Sequence, residues 1–176
     1  MKKVIVKCKL ADRDVFEAKL DDIELDFSPI YWLHDRVYIP REYKKGTNYP
    51  RLSLRTETHS TDGAPTYSLI LHRHIEDSGV DIVEETPITD YAGMVNIIFQ
   101  LGFKLAGEVS RRRQTLDMGE GTLIHLDVLD GSNEAYAKIE STITDKDSVI
   151  EAKTDLKRTF AALGEKDIVE SAYFEI

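Results

Sequence analysis

The chain has one cysteine, one tryptophan and five prolines in 176 residues. A single Cys8 excludes an intrachain disulfide, and without a second thiol there is no zinc-type cysteine cluster. No apolar run approaches the roughly 20 residues that a membrane-spanning helix needs. The basic start at Lys2 and Lys3 leads into no stretch apolar enough for a signal peptide, so a cytoplasmic protein without a membrane partner is expected. Also missing are a glycine-rich phosphate loop, a Ser-His-Asp arrangement and EF-hand spacing. With no low-complexity segment or linker, residues 1–176 read as one domain large enough for a sizeable core. Basic residues are in deficit, 23 Lys and Arg against 32 Asp and Glu, for a formal net charge of −9. That balance argues against nucleic acid bound over an open basic face. An acidic exterior around a basic cavity would give the same total.

What is present is alternation. Val4, Val6, Cys8 and Leu10 fall on one face of a first strand over 3–10, with Ile5, Lys7 and Lys9 on the other. This makes Cys8 a buried, inert thiol. Arg51 to Thr58 sets Leu52 and Leu54 against Arg51, Ser53, Arg55 and Glu57. Tyr67 to His74 sets Leu69 and Leu71 against Ser68, Ile70, His72 and His74. Val80 to Thr86 puts Asp81, Val83 and Glu85 on one side. Between Glu108 and Leu116, Arg111 and Arg113 share a face with Val109 and Thr115, and Arg112 points the other way. Thr122 to Leu129 pairs His125 with Asp127, and Glu134 to Thr142 pairs Lys138 with Glu140. Gly119-Glu120-Gly121, Asp130-Gly131 and Asp77-Ser78-Gly79 are turn signals. Residues 27–39 are extended and aromatic, and Tyr31, Trp32 and Tyr38 there suit core or mouth packing. Helical spacing marks 13–20, then 91–100 behind an Asp90 cap, and about 147–163.

Nearly every strand therefore has one apolar face and one loaded with charge. An open sheet does not usually bury both. A closed eight-stranded antiparallel β-barrel with a polar lumen and about three flanking helices, an α+β fold, satisfies both faces and removes the edges.

The order of segments resembles the CYTH family, the triphosphate-tunnel proteins that include class IV adenylyl cyclases and thiamine triphosphatases. Asp35-Arg36-Val37-Tyr38 is similar to its D-x-Y segment, and Leu52-Ser53-Leu54-Arg55 to L-R-I-R with serine at the first arginine. Glu85 to Asp90 resembles the E-T-x-V-x-D entry to the middle helix, and Leu101-Gly102-Phe103 its exit. Arg111 to Leu116 is similar to K-x-R-x-x-Y, Leu126 to Gly131 to L-D-x-V-x-G, and Ser171-Ala172-Tyr173 to the closing S-Y pair. The resemblance implies the same eight-stranded barrel and, in its cyclases, frequent dimers. It fails where the family holds divalent ions. The first-strand E-x-E-x-K falls on Ile5, Lys7 and Lys9, and the late E-x-E on Lys138 and Glu140. His72 stands for a lysine, and Asp81 and Val83 for an arginine and a glutamate.

Lys7, Lys9, Arg51, Arg55, His72, Arg111, Arg113 and Lys138 are the candidate phosphate ligands, because always-charged guanidiniums hold phosphate bidentately and ammoniums hold it as point charges. Glu85, Asp127 and Glu140 are weak candidates for a metal, since magnesium asks for oxygen ligands in near-octahedral array. No catalytic residue is assigned. The principal reading is a receptor for a triphosphate-type anion, a nucleoside triphosphate or polyphosphate, needing no cofactor and with catalysis weakened or lost. A Mg- or Mn-dependent triphosphatase or cyclase is one alternative. A scaffold whose lumen charges, including Glu57 and Asp81, pair with each other is the second. A homodimer fits any of the three. His72 is expected to hydrogen-bond in the lumen, and His34 and His125 have no evident partner.

Overall fold

A computed structural model describes residues 2–21, 26–44, 49–60, 63–75, 80–132, 134–143, 148–165 and 167–169. The turn expected at 77–79 and the tail from Ser171 lie outside these residues. Strands β1 (Lys2–Lys9), β2 (Tyr31–Pro40), β3 (Arg51–Thr58), β4 (Thr66–Ile75), β5 (Val80–Ile88), β6 (Phe103–Asp117), β7 (Thr122–Leu129) and β8 (Ala135–Ile143) alternate with helices α1 (Arg13–Asp21), α2 (Tyr91–Gln100) and α3 (Ser148–Ala162). The sheet runs β5-β4-β3-β2-β6-β7-β8-β1, and pairing of β1 with β5 closes it into an antiparallel barrel. A two-residue strand β9 (Ile168–Val169) adds to the far end of β1.

Closure follows from the two-faced strands. Outward apolar residues of β1, β7 and β8, such as Val6, Cys8, Ile124 and Ile139, pack with Phe16 and Leu20 of α1 and Leu156 and Phe160 of α3. Outward Tyr38 and Leu54 pack with Ile98 of α2, joined by Leu52, Leu69 and Met94. Cys8 is fully buried in the first cluster, and burial pushes its thiol up to about 11, so it is inert. Strand β6 starts five residues before the alternation suggests. Its pairing with β2 sets Gly107 opposite Val37 and Leu105 opposite Tyr38, skipping Ala106, a bulge that hides the extension. The β6–β7 hairpin closes through positive φ at Gly119, Glu120 and Gly121, a conformation that glycine adopts at no steric cost.

Candidate functional site

The inward faces carry two layers of charge. Across the middle lies a belt built on Asp35 of β2 and Asp127 of β7. Arg55 donates Nε and Nη2 to the two Asp35 oxygens at 2.8 and 3.0 Å, and Arg111 Nη2 donates to Asp35 Oδ2 at 2.7 Å. Arg113 donates Nε and Nη2 to Asp127 at 2.5 and 2.6 Å, and Arg111 Nε lies 3.3 Å from the same carboxylate. Arg111 therefore bridges the two aspartates. Burial alone would raise both carboxyl pKa values, yet the guanidiniums outweigh it and hold them well below the usual carboxylate range. Arg111 and Arg113 do face the lumen, and Arg112 faces out toward Asp130 at 3.8 Å. The oxyanions that the inward arginines grip are the protein's own. Sequence alone does not place Asp35 in the lumen, because residues 27–39 read as aromatic and extended without a clear polar face.

On one side of the belt Lys7 is buried beside Arg51, Arg111 and Asp127, its ammonium 5.7 Å from the Tyr136 ring centre. Burial lowers its pKa to about 8. Lys9 is a different case: it is half exposed and paired with Glu134, so it does not belong to the lumen. The buried lysine of β1 is thus Lys7. Lys3, which shares the parity of Ile5 and Lys7, is a lumen cation that alternation alone does not single out.

On the other side lies a cavity of about 180 Å³, lined by Lys3, Arg55, His72, Arg113, Lys138 and the acids Glu57, Glu85 and Glu140 among others. The structure brings these together; Lys7, Lys9, Arg51, Arg111 and Asp127 are not part of its lining. Every lining acid has a partner. Glu140 meets Lys3 Nζ and Lys138 Nζ, each at 2.8 Å, and His125 Nε2 at 3.3 Å. Glu85 accepts from Ser68 Oγ at 2.7 Å and lies 3.8 Å from Arg55 and 3.9 Å from Lys3. Glu57 meets His59 at 2.5 Å. Burial, reinforced by Arg113 and Arg55, lowers Lys138 to about 8 against the pull of Glu140. His125 does have partners: its Nδ1 meets Thr115 Oγ1 at 2.8 Å, which in turn meets the Tyr31 hydroxyl at 2.7 Å. Burial lowers His125 to about 3, so the ring is neutral near pH 7. His34 sits outside, its Nδ1 2.8 Å from Ser110 Oγ. The side chains of His74 and Asp81 lie outside the described ones.

The candidate metal acids do not fit a divalent ion. Both oxygens of Asp127 are taken by Arg113, and the Lys3 ammonium lies between Glu85 and Glu140. Among the described residues no group of three or more potential ligands converges. Of the aromatic trio, Tyr31 lines the cavity and Tyr38 packs edge-on against Phe99 of α2. Trp32 is 39% exposed on the outer wall, contrary to a packing role, because the strand's alternation turns it away from Tyr31.

Eight strands closed around a polar lumen, with helices on the outer wall, define the triphosphate-tunnel fold of CYTH proteins. Solved structures share it. A protein from Pyrococcus horikoshii OT3 superposes with TM-score 0.81 at 21% identity, over 97% of this chain and 95% of that one. A candidate adenylate cyclase from Vibrio parahaemolyticus gives 0.76 at 19%, over 97% and 94%. A candidate adenylyl cyclase from Hippeastrum with a dominant triphosphatase activity gives 0.60 at 16%, over 98% and 92%. At these identities the likeness is one of fold. No family model matches the chain, and no curated protein does. Among the described residues no helix is long and apolar enough to cross a membrane.

Proposed function

We propose that the cavity beside the belt receives the phosphates of a triphosphate-type anion without a divalent ion, and that catalysis is weakened or lost. One observation carries this. Lys3, Arg55, Arg113 and Lys138 converge on a single cavity whose acids are already matched by those cations, by Ser68 or by His59. An anion entering there meets fixed donors, and charge-assisted hydrogen bonds are the strong ones. At Glu140 a metal would have to displace the Lys3 and Lys138 ammoniums. Lys3 and Lys138 supply its charge, though neither a Lewis acid nor an activated water.

The test is a thermal shift with tripolyphosphate and with ATP, with and without EDTA, on the native chain, on Lys3→Met/Lys138→Met and on the outward control Arg112→Ala. Stabilisation that persists in EDTA, survives Arg112→Ala and disappears in the double variant is the expected result. A shift that needs Mg or Mn, accompanied by phosphate or pyrophosphate release, would instead establish the enzyme reading. A second observation favours the scaffold reading: the belt fills the middle of the lumen with ion pairs. A chain that ignores both anions would support it.

A further inference from the structure

The cavity is small for a nucleotide. Pockets that enclose a drug-sized ligand run to roughly 300–1,000 Å³, against about 180 Å³ here. A nucleoside triphosphate with its phosphates inside would leave its base on the rim. Where β2 begins and β3 ends, that rim carries an aromatic ledge. The Tyr31 ring lines the cavity and is anchored by its hydroxyl, 2.7 Å from Thr115 Oγ1. His59, one residue beyond β3, stacks on it with ring centres 4.8 Å apart and planes 21° from parallel. Its Nε2 meets Glu57, another cavity residue, at 2.5 Å. The imidazole is thus held across one face and at one edge, although the side chain is 66% exposed. An exposed side chain ordinarily samples several rotamers, and ordering it costs entropy. Here that cost is met before any ligand arrives, and no apolar core gains from it.

We propose that His59, stacked on Tyr31, is a platform for the base of a nucleoside triphosphate, which makes the cavity a nucleotide site in preference to one for inorganic polyphosphate. This rests on the reading of the cavity as an anion site. Every base has a π-face, so the platform tolerates different bases while favouring the larger area of a purine. The decisive measurement is calorimetric titration in EDTA of ATP, CTP and tripolyphosphate into the native chain, into His59→Gln, which loses the ring but keeps an N–H donor for Glu57, and into His59→Trp, whose indole also carries an N–H donor. In His59→Gln, ATP affinity drops about tenfold and CTP affinity drops less, while tripolyphosphate changes by less than about twofold. In His59→Trp, ATP affinity returns. If tripolyphosphate binds but ATP is indifferent to His59, or if both ligands weaken equally in His59→Gln, the platform is wrong and the cavity reading stands. If neither ligand binds the native chain, both fall.

Discussion

Asp127 has no contact with solvent, and it survives as a carboxylate only because Arg113 closes a two-toothed grip on it and Arg111 lies alongside. Taking such a charge out of water costs several kcal/mol, which the pair offsets only while both partners are present. Arg113→Met should therefore cost about 3–5 kcal/mol, because it strands a buried anion. Arg113→Met combined with Asp127→Leu should recover much of that loss, since apolar groups of similar size remove the desolvation problem. Chemical denaturation of the two variants decides it. If the double variant is as unstable as the single one, Asp127 is needed for Arg111 rather than for Arg113. His59 belongs to the same scale and the opposite regime, because its exposed ring contributes little to folding and its removal should be felt by ligand alone.

Among the three helices, α2 is the one without a charge. Its span Tyr91–Gln100 holds no Asp, Glu, Lys or Arg, and Asp90 caps it by accepting from Gly93 N at 2.8 Å. Ile98 is 1% exposed against Tyr38 and Leu54, and the neighbouring Ile97 is 52% exposed. Ile98→Ala should cost about 2–5 kcal/mol, through lost transfer energy and the cavity left behind, while Ile97→Ala should stay within about 0.5 kcal/mol. Denaturant midpoints read the contrast, and equal losses would mean that α2 is not seated by this face. Elements of this kind were legible in the sequence, because period and caps are local signals: α1, α2, α3 and eight strands follow from them. The extension of β6 was not, since the bulge at Ala106 breaks the pairing register. Nor could alternation say how far along the lumen a residue sits. Parity puts Lys7 and Lys9 on one face, but only strand tilt and length leave Lys9 at the rim with Glu134 and Lys7 buried. Asp127 faces Arg113 across the local β6–β7 hairpin, but Asp35, the partner of Arg111, comes from β2, 76 residues away. A pairing of that kind is visible only once the strands are assembled into the sheet.

The whole molecule sets an interior rich in cations inside a chain of net charge −9, and this fixes how it should respond to pH. Lys7 and Lys138 have folded pKa values of about 8, below the ordinary 10.5. Between those limits the unfolded chain binds more protons than the folded one, so these two lysines make stability rise as pH climbs from about 8 toward 10.5. Asp35 and Asp127 act in the same sense on the acid side. Their depressed pKa values contribute stability that is complete above the ordinary carboxylate value near 4 and is lost as pH falls below it. Anion binding depends on the charged form of Lys138, so affinity for tripolyphosphate should fall over the same alkaline interval in which the empty fold gains stability. A bound anion stabilises the ammonium, and titration near pH 9 should accordingly show proton uptake. Lys138→Met should abolish the trend in affinity and reduce the trend in stability to the contribution of Lys7. Denaturant midpoints and calorimetric titrations at pH 7, 8, 9 and 10 test the opposition directly. If affinity and stability rise together above pH 8, Lys138 does not hold the anion, and the charge that does is one of the guanidiniums, which stay protonated throughout.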